Sequence, residues 1–98
     1  MYKKIAIALI PLLALTACGA PSESDISQAF NTELARVPPP YTPKLIDLER
    51  IGCSSADDAY VCDVKTRVSN PMMGNELTST GRLRLVKAGG EWVISGRL

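Results

Sequence analysis

Three consecutive prolines, Pro38-Pro39-Pro40, constrain the fold of this chain more than any other local feature. Proline has no amide donor and its ring collides with the preceding turn, so neither a helix nor a central strand can continue through the triplet. The chain is therefore divided into two regular regions that the prolines join as a rigid, extended spacer. A polyproline ligand is the alternative role for such a triplet.

Apolar residues before the prolines recur every three or four positions and form one stripe, which is typical of an amphipathic helix. The stripe consists of Ile26, Ala29, Phe30, Leu34 and Val37. Ser22 or Ser24 can cap the first turn, where acidic side chains also favour the positive end of the helix dipole. The pattern predicts one helix that ends at the proline triplet.

Residues after Lys44 alternate with a period of two, which indicates strands with one buried face. The clearest strand has five inward positions, Tyr60, Cys62, Val64, Thr66 and Val68. The same rule assigns Ile46 and Leu48 to the inward face of a first strand, which ends near Ile51. It assigns Leu77, Leu83 and Leu85 to a third strand. Trp92, Ile94 and Leu98 are the inward residues of a fourth.

Short turn signals separate these strands, among them Asp57-Asp58, Asn70-Pro71 and Gly89-Gly90. Because the connections are short, consecutive strands are expected to pair in antiparallel fashion. The sequence therefore predicts an α+β domain over residues 23–98. In this domain one N-terminal helix packs on a four-stranded antiparallel meander sheet.

The beginning of the chain has the layout of a secretory signal. Lys3 and Lys4 precede an apolar run of 11 residues from Ile5 to Leu15, and small residues follow. A helix needs about 20 apolar residues to span a bilayer, so this run is too short for a transmembrane helix. The order of charged, apolar and small residues predicts export followed by cleavage.

The motif Leu15-Thr16-Ala17-Cys18 resembles the lipobox of bacterial lipoproteins. The resemblance implies that residues 1–17 are a signal peptide and that Cys18 carries a thioether-linked diacylglycerol and an amide-linked acyl chain such as palmitate. Several acyl chains anchor a protein stably, whereas one binds weakly. Residues 18–22 would form a lipidated tether. In that family an aspartate directly after the lipidated cysteine is associated with retention in the inner membrane. This chain has Gly19 at that position, so the resemblance implies sorting to the periplasmic side of the outer membrane.

Two further cysteines, Cys53 and Cys62, follow Cys18, and eight residues separate them. An even pair in an exported chain favours a structural disulfide, because the periplasm is oxidising. The spacing differs from that of a C-x2-C redox motif. A zinc site is also disfavoured, because two thiols do not complete four ligands and the chain has no histidine.

Residues that commonly carry catalysis are missing from the sequence. It has no histidine, no G-x-S-x-G motif and no glycine-rich phosphate loop. With 11 basic and 10 acidic side chains, the net charge offers no attraction to nucleic acid. We therefore expect no enzyme activity, no metal, no nucleic-acid partner, and no cofactor apart from the covalent lipid on Cys18.

Two surfaces are candidate binding sites. One is a basic face formed by five cations expected on the outward side of three strands, Lys65, Arg67, Arg82, Arg84 and Arg97. It would suit anionic headgroups or an acidic protein surface, although outward strand positions are often charged without any binding role. The other is the loop pair Met72-Met73, whose adaptable side chains suit contact surfaces unless one of them packs under the sheet.

The expected function is that of a small, non-catalytic, membrane-anchored envelope lipoprotein that acts as a protein-interaction module for another envelope protein. One alternative is an inhibitor or superinfection-exclusion lipoprotein that blocks a lysozyme or a surface receptor. The chain lacks the Ser-Gly-x-x-Tyr signature of one lysozyme-inhibitor group, which weakens that version. The other alternative is an accessory subunit of a secretion apparatus.

Overall fold

The structure is a computed structural model that describes residues 19–98. It contains one helix and four strands, α1 (Glu23–Leu34), β1 (Lys44–Ala56), β2 (Ala59–Asn70), β3 (Asn75–Ala88) and β4 (Glu91–Arg97). The strands form one antiparallel sheet in the order β1-β2-β3-β4, so the predicted helix and four-stranded meander are confirmed. The predicted signal peptide, the lipobox and Cys18 lie outside the described residues.

Helix α1 begins with a capping box. The Ser22 hydroxyl accepts a hydrogen bond from the Asp25 amide at 3.1 Å, and the Asp25 carboxylate accepts one from the Ser22 amide at 2.9 Å. Pro21, just before the cap, is fully buried. The folded domain therefore begins at Pro21, two residues before the predicted boundary, because cap and proline belong to the packed structure and not to a tether.

The chain turns sharply between α1 and β1. The Tyr41 amide donates to the Pro38 carbonyl at 3.0 Å, and the Pro39–Pro40 peptide bond is cis. The predicted extended spacer is therefore wrong, since the triplet lies in a turn. Val37, the last member of the predicted stripe, lies beyond the end of α1 and is exposed.

The core lies between α1 and one face of the sheet. It is formed by nine buried residues, Ile26, Ala29, Phe30, Leu48, Cys62, Val64, Leu83, Leu85 and Ile94. Full burial of one large aliphatic side chain stabilises the fold by about 1.5–3 kcal/mol. The backbone of α1 lies closest to the edge strands β1 and β4, while its buried side chains share the core with residues of β2 and β3.

Register irregularities in the edge strands change which residues face the core. The pairing of β1 with β2 passes over Ile46 and Ile51, and the pairing of β4 with β3 passes over Ser95. An extra residue reverses the facing of the side chains that follow it and increases the local twist. Ile46, predicted to be inward, is consequently exposed, and Leu45 packs against the core.

Strand β1 is longer than the sequence pattern predicts, because the bulge at Ile51 interrupts the alternation. The alternation is interrupted there, whereas the strand continues to Ala56 and its hairpin turns at Asp57-Asp58. At the other end of the chain Leu98, predicted to be inward, lies just beyond β4 and is exposed. The end of β1 and the end of β4 depend on how the strands pair, and alternation along the sequence does not reveal that pairing.

The hairpin of β2 and β3 extends past the helix. With 12 residues α1 is about 18 Å long, whereas the 14 residues of β3 span about 46 Å. Leu77 shares a sheet face with the buried Leu83 and Leu85, but it remains 66% exposed. The prediction that Leu77 is inward-packed is therefore wrong; Val68, directly opposite it in β2, packs against the core, whereas Leu77 does not.

Candidate functional site

The predicted disulfide between Cys53 and Cys62 is confirmed. The two cysteines are directly opposite each other in β1 and β2, with their Cα atoms 4.0 Å apart. Cys62 is fully buried in the core, and the bond crosses the body of the hairpin instead of joining the end of one strand to the start of the next. Cys53 is partly buried and packs against the same core, so the bond joins the surface of β1 to the interior of the domain.

The outward face of the sheet carries four of the five predicted cations, and opposing carboxylates accompany them. Arg82 Nε lies 2.9 Å from Asp63 Oδ1, and Arg67 Nη1 lies 3.2 Å from Glu76 Oε1. The hydrogen bond from Arg82 to Asp63 raises the pKa of the arginine above its ordinary value. These exposed pairs contribute little to stability, but they cancel much of the positive charge.

The remaining two cations on this face have similar surroundings. Arg84 Nη2 lies 3.4 Å from Asp58 Oδ1, and Arg84 Nη1 donates to Ser95 Oγ at 2.8 Å. Lys65 is directly opposite Glu49 in the pairing of β2 with β1. The predicted basic face is therefore a mixed-charge face, which the spacing of the cations alone did not reveal.

Arg97 lies on the other side of the sheet. The bulge at Ser95 pairs Arg97 with the inward-facing Leu83, and its guanidinium carbon lies 5.4 Å from the centroid of the Phe30 ring. The prediction that Arg97 belongs to the outward cations is therefore wrong. Its cation–π contact covers the core beside α1.

Met72 and Met73 form the tip of the β2–β3 hairpin. Their side chains are 71% and 72% exposed, so neither packs under the sheet. Their amides donate to Asn70 Oδ1 at 2.9 and 3.4 Å, and the Gly74 amide donates to the Asn70 carbonyl at 2.8 Å. Gly74 adopts a φ of 67°, which glycine tolerates easily. The backbone of the tip is thus held in place while both thioether side chains face solvent.

A seven-residue segment of β3 was missed by the sequence reasoning. Strand β4 pairs only with Leu83–Ala88, so within residues 19–98 no strand adjoins residues 75–81 on that side.

Comparisons with protein-family models, with curated proteins and with solved structures find no match for this chain. Among residues 19–98 no helix is long and apolar enough to cross a membrane. The described residues also contain no cluster of three or more cysteine, aspartate or glutamate side chains that could hold a metal ion. The features of the described residues that could serve binding are the hairpin tip and the mixed-charge face.

Proposed function

We propose that this protein is a small, non-catalytic lipoprotein of the bacterial envelope whose domain binds another envelope protein through the Met72-Met73 tip. The observation that carries the proposal is the tip itself, where two adjacent apolar side chains are held in solvent on a hydrogen-bonded turn. Two apolar side chains that remain in solvent do not stabilise the fold. They do provide an adaptable apolar contact, a use to which methionine is well suited.

The mixed-charge face supports the choice of the tip over the sheet surface. Three of its cations already contact carboxylates of the same chain, and the fourth is opposite one. A face of this kind has no strong field with which to attract anionic headgroups or an acidic protein. The paired methionines, in contrast, have no partner among the described residues that would have to be displaced before binding.

The distance from the proposed anchor to the tip limits the partner. With Cys18 lipidated, only Gly19 and Ala20 separate it from the buried Pro21, a reach of about 10 Å. The Glu23 carboxylate at the start of α1 accepts a hydrogen bond from the Arg50 amide at 2.8 Å, and Arg50 is opposite Val64.

From Val64 the strand continues six residues to Asn70, or about 20 Å. The tip therefore lies within a few tens of ångströms of the membrane surface. We infer a partner in the same envelope, and we place the protein on the periplasmic side of the outer membrane.

Site-specific photo-crosslinking in cells tests the tip. A photoreactive residue in place of Met73 should capture one dominant envelope protein. The same residue in place of Asp58, at the opposite end of β2 and 87% exposed, is the matched control and should capture little of it. Equal capture from both positions would contradict the proposal, and capture of an exogenous lysozyme would favour the inhibitor alternative.

A double substitution then separates binding from folding. Met72→Ser/Met73→Ser should abolish capture of the partner while leaving thermal unfolding unchanged, because both side chains are exposed and the turn is held by backbone amides. Arg82→Gln on the mixed-charge face is the control and should retain the partner. Retention by the double variant would exclude the tip as the contact.

The anchor has its own test, on a residue outside the described part of the chain. Cys18→Ala should move the protein out of the salt-washed membrane fraction, and the wild-type mature chain should show the mass of a lipidated cysteine at its beginning. Ala20→Ser is the matched control and should stay with the membrane. A Cys18→Ala protein that remains membrane-bound would refute the lipoprotein proposal.

A further inference from the structure

The hairpin tip holds all the methionines of residues 19–98. Met72 and Met73 are two of the three methionines in the sequence, and the third, Met1, lies outside the described residues. The other sulfur atoms of this part of the chain belong to Cys53 and Cys62, which are joined in the disulfide and present no free thiol. An oxidant that removes two electrons from sulfur therefore finds its targets in the described domain at the tip.

Both methionine side chains are accessible to such an oxidant, because most of their surface is exposed to solvent. Oxidation of protein sulfur follows exposure. The ring of Trp92, another oxidisable group, is only partly exposed and packs against the core. The Tyr60 ring lies 5.9 Å from it and Lys87 Nζ lies 5.3 Å from it, measured to the ring centroid. The tip is therefore the more accessible target.

The turn that carries the two methionines does not depend on their sulfur atoms. It is closed by the side chain and carbonyl of Asn70, which accept hydrogen bonds from the amides of Met72, Met73 and Gly74. Oxygen added to either sulfur would leave these bonds in place and would face solvent. Oxidation of a methionine inside a core disrupts packing, whereas oxidation at this tip changes the surface alone.

We propose that Met72 and Met73 are a site of reversible oxidation by peroxides, and that oxidation releases the partner of the tip. The release rests on the proposed function, because it requires that the tip binds a partner. The oxidation itself depends on the exposure of the two side chains and on the turn that holds them.

The chemistry of each oxidation is a transfer of one oxygen atom. The thioether sulfur attacks one oxygen of hydrogen peroxide, an S–O bond forms and the O–O bond breaks. The departing hydroxide takes the proton from the transferred oxygen and leaves as water, so sulfur loses two electrons and the peroxide gains them. A methionine sulfoxide reductase reverses the change with two electrons and two protons from a dithiol, and the oxygen leaves as water.

Oxidation would convert the apolar contact into a polar one. The sulfoxide oxygen accepts hydrogen bonds from water, and burial in an apolar contact would remove that water without supplying a donor. A polar group buried without a hydrogen-bond partner weakens binding by about tenfold or more. Because Met72 and Met73 are adjacent at the tip, both sulfoxides would contribute to this loss.

Mass spectrometry of the full chain isolated from membranes tests the site. Trypsin releases residues 68–82 as one peptide that contains both methionines. In the folded protein they should gain oxygen from hydrogen peroxide within about a factor of two of the rate in a synthetic peptide of that sequence. The midpoint of thermal unfolding should not change. Protection of the tip by about tenfold relative to the peptide, or a lower midpoint after oxidation, would overturn the proposal.

Capture of the partner tests the release. Purified protein is oxidised, freed of peroxide and then added to an envelope extract, so that the partner never meets the oxidant. It should capture about tenfold less of the envelope partner than the untreated protein does, and methionine sulfoxide reductases should restore the capture. Met72→Leu/Met73→Leu is the matched control, since its tip is apolar but has no sulfur. Its captures with and without peroxide treatment should be equal to each other.

Equal capture by the treated and untreated wild-type proteins would overturn the proposal. A loss that the reductases do not reverse, or an equal loss in the leucine variant, would overturn it as well, because the oxidation responsible would lie elsewhere. Failure of the tip contact gives a different result. The untreated wild-type protein would then capture no partner although both methionines still gain oxygen, and the release would fall together with the proposed function.

Discussion

Reduction of the Cys53–Cys62 disulfide should lower the free energy of unfolding by about 2.5 kcal/mol. The bond links residues nine positions apart, and closing a loop of that length removes about this much entropy from the unfolded chain at 25 °C. In a domain of this size 1 kcal/mol corresponds to about 4–8 °C in Tm, so the midpoint should fall by about 10–20 °C. Both sulfur atoms remain in the protein after reduction, so no cavity forms at the buried Cys62, but they must move apart to van der Waals contact, which adds a small packing cost to the loop entropy.

The assay is thermal unfolding of the full chain followed by circular dichroism, with and without reductant, together with thiol counting to confirm each redox state. Cys53→Ala/Cys62→Ala should be destabilised at least as much as the reduced protein, since it also loses a buried sulfur atom from the core. Identical midpoints for the oxidised and reduced proteins would refute the reasoning. They would show that the unfolded hairpin is already restricted without the bond.

Three further changes test the fold by denaturant unfolding. Ile26→Ala should cost about 2–5 kcal/mol because this side chain is fully buried, whereas the exposed Ile46→Ala is its control; equal effects would contradict the core. Ser22→Ala should cost about 1 kcal/mol by removing the α1 cap, and an unchanged midpoint would show that the cap is dispensable. Asp63→Asn should leave the midpoint unchanged, because its bond to Arg82 joins two exposed side chains. A large loss there would mean that the outward face is structurally coupled.

Local patterns predicted the regular core of the protein well. One example is the apolar stripe of α1 with its serine cap, and another is the alternation of Cys62 and Val64 with Lys65 along β2. Both depend only on residues close in sequence, so the helical or strand period is enough to predict them. The disulfide was also predictable, because the sequence leaves Cys53 and Cys62 as an even pair once Cys18 is assigned to the predicted lipid anchor. The position of Met72 and Met73 in a loop followed from turn residues on both sides of them, but their exposure did not, because the sequence left open that one of them packs under the sheet.

The candidate binding surface was less predictable, for reasons that concern pairing. Arg97 changes face because one residue, Ser95, is left unpaired, and nothing in a period of two marks that position. The charge of the outward face depended on register, which places Asp63 beside Arg82 and Glu76 beside Arg67. Leu77 is exposed although Val68, directly opposite it, packs against the core, because burial at a strand position depends on which other elements reach it in space.

By itself, the sequence determined the type and order of the elements and the cross-link, since these depend on spacing along the chain. The tertiary structure decided the three bulges and the pairing of outward cations with carboxylates. These features arise from the relative lengths and registers of strands that meet in space. A difference of a single residue moves a side chain to the other face of the sheet, and such differences depend on partners distant in the chain.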